Sequence, residues 1–215
     1  MKKGKTRLVS VLLLMCMVLG LALSGCSGGD EGSGGGDAAS DRTVTIAMTG
    51  DVNTWNPWMY NEIEANSIQR HVFDSLVDVD NNLTQIPSLA TEWSTSDGGA
   101  TWDFTLREGV TFSNGSAFTA DDVIYSFERC MELAKGWADS TATIAEVQKV
   151  DDYHVKFVTT GVDAILPASI KNIMILDKET TENLDDAALD DPANVVGTGR
   201  YVLTEYVRDD HATLT

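Results

Sequence analysis

The stretch that decides the fold is Gln85–Arg129, QIPSLATEWSTSDGGATWDFTLREGVTFSNGSAFTADDVIYSFER. Thr101–Leu106 alternates strictly, with Trp102, Phe104 and Leu106 on one side and Thr101, Asp103 and Thr105 on the other. That period of two predicts a half-buried strand. Asp97-Gly98-Gly99 turns the chain before it and Arg107–Val110 after it, and Val110 and Phe112 start a further short strand. Thr119 then stands three residues before Asp122, a pair that caps a helix start by meeting orphan backbone N–H groups. Behind it Ala120, Val123, Ile124, Phe127, Cys130, Met131 and Ala134 recur at spacings of three and four. The spacing predicts a long helix with Cys130 on its buried face, stopped by Gly136.

Working outward, Thr43–Thr49 alternates through Val44, Ile46 and Met48 and reads as a first strand. GDVNTWNPW follows as a loop. Asn61 and Glu64 have capping spacing for a helix whose apolar face is Ala65, Ile68, Val72, Phe73 and Leu76. LVDVDNNL reads as strand, Asp/Asn turn, strand. Ile144–Val150 and Tyr153–Val158 form a hairpin around Asp151-Asp152, with Tyr153, Val155 and Phe157 inward. Asp163–Ile170 is a short helix, Ile173–Leu176 an apolar strand, and KETTENLDDAALDDP a polar mix of helix and loop. The last 21 residues read as turn, strand, turn, strand. The fold class is α/β in the mixed α+β sense, with hairpins rather than βαβ units.

Met1–Arg7 is basic, Leu8–Leu23 apolar, and Ser24-Gly25-Cys26 follows. As a helix the apolar run reaches about 24 Å, short of the roughly 30 Å hydrocarbon core. Ser27–Asp41 is Gly, Ser, Ala and acid only, a flexible tether. The chain carries 33 acidic and 15 basic residues, net −18. Without the four basic residues before Cys26, 11 basic face 33 acidic, net −22. Such a polyanion repels phosphate backbones, which argues against nucleic acid.

Catalytic patterns are missing. His71, His154 and His211 are scattered, with no H-E-x-x-H, no C-x-x-C, no G-x-S-x-G and no Walker loop, so no metal and no catalytic residue is assigned. Gly197-Thr198-Gly199 precedes a strand rather than a helix, which disfavours a phosphate loop. What remains is aromatic: Trp55 and Trp58, with Asn53 and Asn56, in the loop after the first strand, and Trp137 past the long helix. These five are the candidate ligand residues, because loops at carboxyl ends of strands commonly hold ligands. The same rings serve equally well as packing.

Leu23–Cys26 resembles the lipobox of bacterial lipoproteins, which implies cleavage before Cys26 and a lipid on its thiol. TIAMTGDVNTWNPW (45–58), IQRHVFDSLVDVDNN (68–82), the 85–129 stretch and VGTGRYVLTEY (196–206) together resemble extracytoplasmic solute-binding proteins of the oligopeptide/dipeptide/nickel-binding type, which serve ABC importers. Arg200 stands where that family more often has proline. The resemblance implies a type II periplasmic-binding-protein-like, two-lobed fold in a chain more than twice this length, so that these residues are an N-terminal fragment. It implies the following division: 1–25 signal peptide; 26–41 lipidated cysteine and tether; 42–84 start of the first lobe; 85–195 a subdomain of it; 196–215 a return to it. It further implies a monomer outside the cytoplasmic membrane, anchored through Cys26, that takes a peptide or related small solute to a permease with no cofactor. An isolated first-lobe piece is expected to bind ligand poorly, since a cleft needs two walls. Two other readings stay open: a sensory or adhesive lipoprotein reusing the fold, and a surface-anchored hydrolase.

Overall fold

The computed structural model describes residues 43–59 and 62–215. Ala47–Thr215 forms one compact unit, and Thr43–Ile46 is the described part of the unit before it. Thr43–Thr49 is not a strand, contrary to its alternation; Val44 and Ile46 are exposed. A side-chain pattern alone does not make a strand. The backbone needs a partner ladder, and no described segment pairs with this one.

Helix α1 spans Ile63–Val72 and buries Ala65, Gln69 and Val72. Its N-cap is Glu62, which makes no side-chain capping bond; Asn61 lies outside the described residues. Phe73 and Leu76 are buried as expected, but beyond the helix. The helix stops early because its last carbonyls are taken from far along the chain. Gly199 N–H donates to Val72 O (2.8 Å) and Tyr201 N–H to His71 O (3.0 Å). Gly197 allows this approach, for a Cβ there would sit 2.0 Å from Val72 O. The glycines of 197–199 thus serve close backbone packing.

Strands β1 (Val77–Val79) and β2 (Gln85–Pro87) pair antiparallel. Their turn is held by the Asp80 carboxylate, which accepts the N–H groups of Asn82 and Thr84 (both 2.8 Å). β3 (Ala90–Ser94), β4 (Thr101–Leu106), β5 (Ile144–Asp151) and β6 (His154–Thr159) form an antiparallel sheet in the order β3-β4-β6-β5. The inward residues of β4 are the expected ones, with Trp102 opposite Phe157 and Phe104 opposite Val155.

Helix α2 (Ala120–Leu133) covers that face, with the Phe127 and Phe157 rings 4.8 Å apart, edge to face. The capping box is complete: Thr119 accepts the Asp121 N–H and Asp122 accepts the Thr119 N–H. Cys130 is buried, and burial pushes its thiol up to about 12, so it stays protonated. The helix ends at Leu133, three residues before Gly136. Ala134 takes the left-handed cap at φ 46° and is exposed.

The expected strand at Val110 and Phe112 is a single bridge, Thr111 to Ala117, and that at Ile173–Leu176 a single bridge, Ser75 to Met174. Both segments are apolar because they cross the core, not because they pair. Short helices fill the rest: α3 (Ala138–Thr141), α4 (Leu166–Ser169), α5 (Lys178–Thr181), α6 (Asp186–Leu189) and a 3-10 turn at Pro192–Asn194. Asp177, Asp185 and Asp191 cap the last three. The chain then forms the hairpin β7 (Leu203–Val207) and β8 (His211–Leu214).

Candidate functional site

The loop Asp51–Met59 is held by side chains and backbone from distant parts of the chain. Trp58 is fully buried; its indole N–H donates to Met174 O (2.9 Å) and its ring meets Tyr125 edge-on. Trp137, 80 positions away, donates its indole N–H to Pro57 O (2.9 Å), and Gly136 N–H reaches Met59 O (3.2 Å). The Trp55 N–H donates to Asp190 Oδ1 (2.7 Å), and its ring stands edge-on to Tyr206 at 5.2 Å. Asn56 Oδ1 accepts the Trp58 N–H (3.1 Å), a local turn within the loop.

Asp51 closes the other end. Its carboxylate accepts from the Val52 N–H, the Tyr206 hydroxyl and the Asp209 N–H, each at 2.8 Å. Partial burial pushes this carboxyl up, but the Asp209 N–H, the Tyr206 hydroxyl and the Val52 N–H outweigh it and hold it below its ordinary value. Burial and the bond to Asp51 push the Tyr206 phenol up to about 12. At neutral pH the pair is therefore a carboxylate and a neutral phenol, joined by a charge-assisted bond.

All five candidate residues meet at this loop. Asn53 faces solvent, and its amide nitrogen bonds the Glu62 carboxylate. Trp55, Asn56, Trp58 and Trp137 are 2, 0, 0 and 5 % exposed. As placed, all four are buried, and the three indole rings offer no open face to a ligand. Four supports were not foreseen: Asp51, Gln69, Asp190 and Tyr206. For Gln69 a signal existed, since it lies four residues after Ala65 on the apolar face of α1. For Asp190 there was none, because its partner is 135 positions away. Cys26 lies outside the described residues. Among the described residues no His, Cys, Asp or Glu cluster could hold a metal ion.

A model of the family described as "Bacterial extracellular solute-binding proteins, family 5 Middle" matches residues 84–215. The chain is 32% identical over 165 residues to Di/tripeptide-binding protein 3 of Pseudomonas aeruginosa, covering 64% of this chain and 30% of that protein. It is 28% identical over 203 residues to the Oligopeptide-binding protein AppA of Bacillus subtilis, covering 85% and 37%. Among solved structures, DppA from Helicobacter pylori in complex with the peptide STSA superposes with a TM-score of 0.68 at 26% identity, over 77% of this chain and 37% of that one. NikZ from Campylobacter jejuni with Ni(L-His) gives 0.67 at 25%, over 76% and 33%. The chain thus spans about a third of the length of the curated relatives it matches, and its mixed helix-and-sheet fold is the corresponding part of the periplasmic-binding-protein fold. It belongs to family 5 of the bacterial extracellular solute-binding proteins.

Proposed function

We propose that the protein captures peptides outside the cytoplasmic membrane and delivers them to the permease of an ABC importer. The observation that carries this reading is the family match over 84–215, shared with relatives named for binding dipeptides, tripeptides and oligopeptides. The buried supports of Asp51–Met59 favour a pre-formed binding edge, as expected where ligand recognition must not cost loop ordering. In this reading Asn53 is the contact residue of the loop, and Trp55, Asn56, Trp58 and Trp137 hold it in place. Residues 42–84 begin the first lobe, 85–195 form its subdomain, and 196–215 return to it. The four-stranded sheet and α2 fall wholly within the middle segment, which supports that division.

Ligand would bridge two lobes and shift an open–closed equilibrium toward the closed form, which the permease accepts. Lipid on Cys26 and the tether after it would keep the binding body near the membrane. Two or more acyl chains anchor firmly, at about 0.8 kcal/mol per buried CH₂.

Uptake of a labelled tripeptide tests both parts. Cells lacking the gene lose uptake, and the wild-type gene restores it. Cys26→Ser moves the protein from the membrane to the soluble fraction and restores uptake only in part. Unchanged uptake in the deletion strain would overturn the transport reading; a membrane-bound Cys26→Ser protein would overturn the anchor.

A further inference from the structure

At the contact between the Asp51–Met59 loop and α1, three buried side-chain atoms have no hydrogen-bond partner: Trp55 Nε1, Asn56 Nδ2 and Gln69 Oε1. Their residues are 2, 0 and 1 % exposed, so bulk water does not reach them. The orientation of both amides is fixed by their other ends. Gln69 Nε2 donates to Thr54 O (2.9 Å), and turning the amide over would set two acceptors face to face. Asn56 Oδ1 accepts the Trp58 N–H (3.1 Å), which leaves Nδ2 as its spare end. Thr54 ties the two residues together, for the Asn56 backbone N–H also donates to Thr54 Oγ1 (3.1 Å). Trp55 belongs to one buried apolar cluster with Val52 and Ala65, and Ala65 lies one turn before Gln69 on α1.

Two donors and one acceptor without partners thus belong to neighbouring residues of the loop and to the helix residue bonded to it through Thr54. Buried polar groups in folded proteins are nearly all paired, with protein or with ordered water. A cation would find only one acceptor here, and an anion would meet the Gln69 oxygen. Water both accepts and donates, fits in about 10–15 Å³, and typically makes about three bonds when buried. We infer that one internal water molecule is an integral part of this site. It accepts from Asn56 Nδ2, donates to Gln69 Oε1, and has Trp55 Nε1 as its third partner. This water joins the candidate ligand loop to α1, whatever ligand the protein carries.

The test is a crystal structure of the ligand-free native protein at a resolution that shows ordered waters. A peak within about 3 Å of both Asn56 Nδ2 and Gln69 Oε1 is expected. Direct bonding between the two amides, or no density between them, overturns the inference. Magnetic relaxation dispersion supplies a second readout in solution. Gln69→Met, with its near-ultraviolet circular dichroism unchanged, has one fewer long-lived internal water than wild type; an equal number overturns the inference. If that variant does not fold, the wild-type density decides alone.

Discussion

At the scale of single residues, aspartates organise much of this chain through their hydrogen bonds. Asp97 is the sharpest case. Its carboxylate accepts the Thr101 N–H (2.9 Å), the Thr101 hydroxyl (2.8 Å) and the Thr95 hydroxyl (3.0 Å), and so shapes the turn between β3 and β4. The Thr101 bonds hold its carboxyl down at about 2. Because the folded value lies below the ordinary one, the ionised form favours the folded state. That contribution is present above about pH 4 and fades as pH falls through about 2. Thr101→Val removes one of the bonds and raises the Asp97 value by about one unit, read by NMR titration of its carboxyl carbon. An unchanged value would show that the hydroxyl bond is not made. Residue types were informative wherever the partner is local, as with Asp80, Asp97 and the Thr119–Asp122 box. They were silent on which way the tryptophans point. Trp58 and Trp137 are drawn inward by carbonyls of Met174 and Pro57, and neither distance along the chain is visible in a local pattern.

At the scale of elements, α2 was readable end to end except for its stop. Its start carries two mutually capping side chains, and its stripe matches the face that covers the sheet. Its stop falls at Ala134, a residue with a Cβ held at φ 46°. A left-handed conformation costs a residue with a side chain about 1–2 kcal/mol, and glycine almost nothing. Ala134→Gly is therefore expected to stabilise the protein by about 0.5–1 kcal/mol after the added freedom of the unfolded chain is deducted. A urea melt reads this as a higher midpoint with an unchanged slope; a lower midpoint would contradict the cap. The elements that escaped local reading share one cause. Thr43–Thr49 lacks a ladder partner among the described residues, Ile173–Leu176 crosses the core without one, and α1 is cut short by backbone arriving at 197–201. In each, what decides the element, a missing ladder or an arriving backbone, lies outside the local window.

At the scale of the whole molecule, the order of motifs was more legible than any element boundary, because each motif pins several turns, strands and caps at once. The 85–129 stretch alone contains β3, β4 and the start of α2, and it lies inside the matched region 84–215. The five candidate residues were legible as one place in space, but the burial of Trp55, Asn56, Trp58 and Trp137 was not. The central claim is that this protein belongs with those that capture peptides. Isothermal titration calorimetry on the protein as its own cells make it, against di-, tri- and pentapeptide pools and against nickel-histidine, tests it directly. The account predicts saturable one-to-one binding of at least one peptide pool with Kd at about 1 μM or tighter, about −8 kcal/mol. Heats of dilution alone with every peptide pool, or saturation by nickel-histidine and by no peptide, would contradict it.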